Sequence, residues 1–286
     1  MHPAESAKGS FRELETLSAC PVCGSADIHP AFEPDVARCA GCGVYFRNPR
    51  PTQAEIQRSY DSGSTYAEWQ KSPTADRNVA WKRRLDLVTA LKQEGRLLDV
   101  GAGDGYFLDR AKAAGFETYG TELSQAGAEY AQKRGHDLRM GQLNDIDFGD
   151  LKFDVITIWH VLEHVPNPGE VLKIIHALLK PDGILALAVP NEENHLFRHR
   201  LRCGRPPNPL GSLVWSKEIH LTHFQPSILR NTLRKNGFVP IRFGVDDIYS
   251  DRCAKNMAKL WMQKSLSAIL QWHFSMAMYC VCRKEG

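Results

Sequence analysis

Three glycines at alternate positions follow directly on a short apolar run that ends in an acid: Arg96-Leu-Leu-Asp-Val-Gly-Ala-Gly-Asp-Gly-Tyr106. The run before them predicts a strand, and Tyr106 to Ala114 predicts a helix. Glycines at a strand-to-helix turn let the backbone bend tightly and let a ligand approach the main chain. The dinucleotide-binding fingerprint would place its third glycine at position 106, which here is Tyr106. The pattern is instead D-x-G-x-G-x-G, and its neighbours decide what it means.

Those neighbours repeat the same unit. Phe116-Glu-Thr-Tyr-Gly-Thr-Glu122 predicts a second strand ending in an acid, with Glu122 placed 21 residues after Gly101. A carboxylate there can accept both hydroxyls of a ribose. Phe153 to Ile158 is a third apolar strand, followed by Trp159-His-Val-Leu-Glu-His-Val165 and then by Leu179 to Pro190. Helices are predicted over Gln53 to Tyr60, Asp76 to Lys92, from Ser124 as an N-cap, over Pro168 to Leu179 and over Pro226 to Asn236. Gly237 ends the last of these, and strands follow at Phe238 to Val245 and Met276 to Cys282. Strands alternating with helices predict an α/β fold with a doubly wound sheet. A ligand then belongs at the carboxyl ends of the strands, where the glycine loop, Glu122 and residues 159–164 all fall.

The N-terminal segment obeys different rules. Cys20-Pro-Val-Cys23 and Cys39-Ala-Gly-Cys42 form C-x2-C-x15-C-x2-C, with Gly24 and Gly43 after the two knuckles. Four such thiolates fit one tetrahedral zinc with no open position, so the metal is expected to be structural. A module of this size lacks the core to fold alone, and the metal supplies the stability. The other four of the eight cysteines are scattered or too close together to pair simply. With no apolar leader at Met1-His-Pro-Ala-Glu-Ser6, the expectation is a reducing, cytoplasmic location. No apolar run approaches the eighteen residues of a transmembrane helix.

As a set, the motifs over residues 75 to 245 resemble class I S-adenosylmethionine (SAM) methyltransferases. The resemblance implies a Rossmann-like, seven-stranded sheet and SAM as cofactor. It puts Gly101, Ala102, Gly103 and Gly105 under the amino acid part of SAM, with Asp99 helping to hold its ammonium. It puts Glu122 and Leu123 at the ribose, Gln142 and Leu143 at the adenine, and Trp159 and His160 over the cofactor. The order zinc ribbon, Asn48-Pro-Arg-Pro-Thr52, methyltransferase core is similar to bacterial enzymes of polysaccharide, deoxysugar and natural-product pathways. The division that follows is a ribbon over 1–50, a linker and lid segment over 51–75, and a methyltransferase domain over 76–286. That domain carries insertions at about 191–218 and 247–275. Tyr60 and Tyr66 lie where this family's N-terminal lid covers the cofactor.

Methyl transfer to a hydroxyl needs alignment and removal of a proton. Histidine suits the second task, because its pKa lies near working pH. His160, His164 and His220 are the candidate bases: two follow the third apolar strand and one precedes the last core helix. Each could equally fix a loop by bonding buried backbone. No Asn/Asp-Pro-Pro-aromatic tetrad follows that strand, which disfavours methylation of nucleobase amino groups and leaves O- or C-methylation. Arg198, His199, Arg200, Arg202 and Arg205 would suit an anionic small-molecule acceptor such as a nucleotide- or lipid-linked sugar. They would equally suit a solvated helix face. The apolar stretch Ala254 to Phe274 could touch a membrane surface or a partner, or pack on its own domain. A net charge of +3 speaks against nucleic acid. Two other readings stand beside the small-molecule enzyme: a ribosomal or transfer RNA methyltransferase guided by its ribbon, and a non-catalytic interaction protein.

Overall fold

A computed structural model describes residues 11–31, 35–61, 74–193, 219–246, 261, 262, 265 and 276–285. Its centre is a seven-stranded sheet. In chain order the strands are β6 (Gly95–Val100), β7 (Phe116–Glu122), β8 (Asp137–Met140), β9 (Phe153–Trp159), β10 (Leu179–Pro190), β12 (Phe238–Asp246) and β13 (Ala277–Lys284). In space they run β12-β13-β10-β9-β6-β7-β8. β13 is antiparallel to both its neighbours, and the pairs β10–β9–β6–β7–β8 are parallel.

Alternation along these strands builds two cores, one on each face. Leu98, Ile156 and Leu187 point to one side, with α5 (Pro168–Leu178) and α6 (Pro226–Lys235) packed there through Leu172, Ile175, Leu229 and Leu233. Leu97, Val155 and Ala186 point to the other. That face is covered by α2 (Thr74–Thr89), α3 (Tyr106–Ala113) and α4 (Gln125–Lys133) through Trp81, Val88, Phe107, Leu108 and Ala131. Burial on both faces is why the strands read as continuous apolar runs. The predicted helices are present to within two or three residues of their expected ends. β10 runs without a break from Leu179, and its pairing with β9 shifts register between Leu179 and Ile184. After β6 the chain winds outward to β7 and β8, then returns to β9 on the other side of β6. In an open α/β sheet, such a reversal places the ligand crevice at the carboxyl ends of the two strands, here β6 and β9.

The N-terminal sheet has an unexpected member. Strands β2 (Ile28–Pro30), β3 (Val36–Cys39) and β4 (Tyr45–Arg47) form a small antiparallel ribbon. Its fourth strand is β11 (Thr222–His223), which pairs Thr222 with Phe46 and His223 with Tyr45. Arg47 N also donates to Leu221 O at 2.8 Å. Nearby, β1 (Leu14–Glu15) pairs with β5 (Arg50–Pro51), and α1 (Gln53–Asp61) leads toward the core. Cys20, Val22, Cys39 and Phe46 belong to the same apolar cluster as the central sheet. The knuckle sits so close to the start of α5 that a Cβ on Gly169 would lie 2.2 Å from Val22 O. Only glycine fits there.

Candidate active site

The loop after β6 turns on left-handed glycines, with φ of 74° at Gly101, 58° at Gly103 and 76° at Gly105. Gly101 N and Ala102 N both donate to Thr121 O, at 2.9 and 2.8 Å, which ties the loop to the end of β7. At that end Glu122 accepts from two amides: Gly103 N to Oε2 and Ser124 N to Oε1, each 2.8 Å. Its carboxylate therefore locks the middle of the glycine loop to the start of α4, and Ser124 caps that helix by accepting from Gly127 N. Burial pushes the Glu122 pKa up, and the amide bonds hold it back. Leu123 is half-buried, and its carbonyl accepts from Gln57 Nε2 of α1 at 3.3 Å. The linker helix thus reaches the rim of this site. Gln142 is half-buried beside the loop, whereas Leu143 is buried in the apolar core.

Asp99, only 2% exposed, accepts from Thr157 Oγ1 at 2.6 Å. Burial raises its pKa to about 7, against the lowering influence of Thr157 and Arg84. A carboxyl poised there gains from any cation brought against it.

The other wall is a chain of buried charges. Trp159 ends β9, packing edge-on against Phe107 with ring centres 5.8 Å apart. The Arg84 guanidinium stacks between Trp81 and Trp159, at 4.6 and 5.2 Å from their ring centres. Arg84 Nη2 donates to Asp246 Oδ2 at 2.7 Å, and His160 Nε2 meets the same oxygen at 2.8 Å. His160 has φ 55°, the one non-glycine residue with positive φ among the described residues. Strain of this kind persists where the surroundings over-determine it. Burial alone would lower the pKa of His160, but Asp246 and Glu163 outweigh it and raise it. Asp246 is held far below the usual carboxylate range: burial opposes this, and Arg84 and His160 win.

Glu163, His164 and His220 complete this wall. Leu221 N and Thr222 N both donate to Glu163 O, at 2.8 and 3.1 Å, so the segment carrying His220 is bonded to the segment carrying His164. His164 Nδ1 lies 2.7 Å from Ile219 O, and the His164 and His220 rings stand 4.8 Å apart in a T. All three histidines proposed from sequence therefore gather at one place, around the buried carboxylate of Glu163. Arg84 and Asp246 were missed. Arg84 could have been found, since a charged residue at the buried i, i+3, i+7 stripe of Trp81, Arg84 and Val88 needs a buried partner. Asp246 carries no such signal. Tyr60 is half-buried on α1. Tyr66, the basic residues from Arg198 to Arg205 and most of Ala254 to Phe274 lie outside the described residues.

At the opposite end of the β4–β11 pair, the four ribbon cysteines converge. Cys20 Sγ is 3.7 Å from Cys42 Sγ, and Cys23 Sγ is 3.6 Å from Cys39 Sγ. Four sulfurs about 2.3 Å from one zinc stand about 3.8 Å from one another, so the set fits that ion. Cys42 N points at Cys39 Sγ (3.4 Å), and Gly24 and Gly43 turn the knuckles with φ of 75° and 82°.

A family model described as a methyltransferase domain matches residues 74–242. The chain belongs to this methyltransferase family. Its ubiquinone biosynthesis O-methyltransferase relatives include that of Actinobacillus pleuropneumoniae, 34% identical over 107 residues, covering 34% of this chain and 46% of the relative. That of Caulobacter vibrioides is 28% identical over 184 residues, covering 62% of this chain and 68% of the relative. The chain thus spans about half the length of the first of these relatives. Among solved structures, the 1,6-didemethyltoxoflavin-N1-methyltransferase of Burkholderia thailandensis superposes with a TM-score of 0.56 at 17% identity, covering 91% of this chain and all of that one. A SAM-dependent methyltransferase of Thermotoga maritima gives 0.56 at 20% identity, covering 80% and 99%. These likenesses show the fold. Among the described residues, no helix is long and apolar enough to cross a membrane.

Proposed function

We propose that this methyltransferase binds SAM across the β6–β9 crevice and methylates a hydroxyl of a small molecule, with Glu163, His164 and His220 activating the acceptor. The observation that carries the reading is the meeting of two walls at one crevice. One is a glycine loop pinned by Glu122; the other is a buried histidine–carboxylate wall on the far side of Asp99. SAM supplies the electrophilic methyl. Asp99 would face its ammonium and Glu122 its ribose, with Ala102 and Leu123 alongside, Gln142 at the adenine edge and Trp159–His160 as the floor. The O-methyltransferase names of the curated relatives support oxygen as the nucleophile. A sugar-like or natural-product acceptor rests on the ribbon and the Asn48–Thr52 segment alone, and an anionic acceptor on the basic residues near Arg200. A labelled-methyl assay over phenols, sugars, nucleotide sugars and RNA tests the reading. Transfer to RNA alone would overturn it.

The cysteine set supports a structural zinc within residues 1–50, with 51–75 as linker and lid. Cys39→Ser should cost the one zinc per chain measured by metal analysis, and should loosen the ribbon as read by hydrogen exchange over residues 20–47. Full zinc retention would show a different ligand set.

Asp99 gives a pH signature. Its folded pKa of about 7 stands above the 3.8 of the exposed group. The folded chain therefore binds the proton more tightly, and stability is lost as pH rises from about 4 to 7 and levels off above. A bound ammonium reverses that cost, but only while Asp99 is charged. SAM affinity should thus fall about tenfold for each pH unit below 7. Asp99→Asn should flatten this dependence, weaken SAM binding and raise the melting temperature of the protein alone at pH 8. A wild-type affinity constant between pH 5 and 7 would remove Asp99 from the cofactor site.

A further inference from the structure

Glu163 is 1% exposed, and neither of its carboxylate oxygens has a hydrogen-bond partner. The nearest imidazole nitrogens, His160 Nδ1 and His164 Nε2, lie 3.5 and 3.9 Å from Oε1, within ion-pair reach but without a hydrogen bond to either oxygen. A buried carboxylate left in this condition is costly unless a cation meets it. The surroundings say what kind of cation fits. Ile219 O lies 2.7 Å from His164 Nδ1 and accepts its proton, which leaves Nε2 as the nitrogen turned toward Glu163. This is the arrangement by which a backbone carbonyl orients a metal-binding imidazole. One ligating atom from each of Glu163, His164 and His220 lies within 4.8 Å of the other two. Three ligands at about 2.1 Å from one ion stand about 3 to 3.5 Å apart, so side-chain rotation alone can close the set. The two backbone bonds from Leu221 N and Thr222 N to Glu163 O already fix the carriers.

We propose that Glu163, His164 and His220 bind one divalent first-row transition ion, by two imidazoles and one carboxylate, at the acceptor end of the crevice. This ligand set suits manganese, iron, cobalt or zinc rather than magnesium, which prefers oxygen ligands. Three ligands from one side leave positions open for acceptor oxygens, best filled by a chelating pair such as a vicinal diol or a hydroxyl beside a carbonyl. An acceptor hydroxyl held there has its pKa lowered and gives its proton to solvent water. The oxygen is then ready to form the new carbon–oxygen bond as the sulfur–carbon bond breaks, with no change of oxidation state. His160, clamped by Asp246, stands outside the ligand set. The role given to the ion rests on the methyl-transfer reading above; the site itself does not.

Manganese titration of the full-length protein, followed by electron paramagnetic resonance, tests the site, with zinc analysis confirming that the ribbon metal stays in place. One Mn²⁺ per chain is expected beyond the ribbon metal. Glu163→Gln and His220→Ala should each weaken it at least about tenfold. SAM affinity, measured by calorimetry, should persist and report that each variant is folded. No binding of Mn²⁺, Co²⁺ or Zn²⁺ beyond the ribbon site would overturn the inference. So would equal Mn²⁺ affinity in the wild type and both variants. If methyl transfer proceeds at a rate independent of added Mn²⁺ in protein holding the ribbon metal alone, the role given to the ion is refuted and the methyl-transfer reading stands. If Mn²⁺ binds as described but no small molecule is methylated, the site stands and that reading falls.

Discussion

Valine in place of Gly101 is expected to weaken SAM binding by more than about 100-fold. Two costs combine. The residue sits at φ 74°, where an L-residue pays about 1–2 kcal/mol. Its Cβ would also lie 2.4 Å from Val161 Cγ2, so the loop and the segment carrying His160 to His164 must part. Each 1.4 kcal/mol is a factor of ten in affinity, and the ligand must in addition meet a branched side chain where it would meet bare backbone. Calorimetric titration with SAM reads the effect directly, and a thermal melt separates it from global unfolding. A folded variant that binds SAM as the wild type does would place the cofactor elsewhere.

Turnover should show the second large effect. His164→Ala and His220→Ala are each expected to slow methyl transfer by about 10²–10⁴-fold, because each removes a group proposed to activate the acceptor. SAM affinity should change little, since neither side chain belongs to the glycine-loop wall. His160→Ala should behave differently. It leaves Asp246 with Arg84 alone and disturbs the Trp159 floor, so SAM binding should weaken along with turnover. Single-turnover rates and SAM dissociation constants for the three variants check this division. Equal losses of SAM affinity in all three would merge the two walls into one cofactor site.

The parts of this molecule that repeat a period were legible in the sequence. Strand alternation at Leu97–Leu98 and Val155–Ile156 and the helix stripe at Leu172 and Ile175 announce themselves, because many residues must agree to fill a core. The glycine loop and the cysteine knuckles were legible for a different reason: each requires a residue type with no substitute. What escaped was contact between distant segments. β11 is two residues long and has no pattern of its own; its place comes from Arg47 and Phe46 in another part of the chain. Asp246 looks like any acid at a strand end until Arg84 is seen beneath it. Glu163 is ambiguous in the sequence, because a glutamate before a histidine after a strand is readily explained as structural, and only its oxygens without hydrogen bonds argue otherwise.

The strand that completes the N-terminal ribbon arrives late. Phe46 leaves the ribosome about 175 residues before its partner Thr222, which follows five of the seven central strands. A ribosome-bound chain can gather its four thiolates long before it can close the sheet that they anchor. The same closing step brings His220 to His164. Closure of the ribbon sheet and assembly of the proposed acceptor wall thus both wait for residues 219–223, and a chain stalled before residue 219 would carry the glycine loop without His220 opposite.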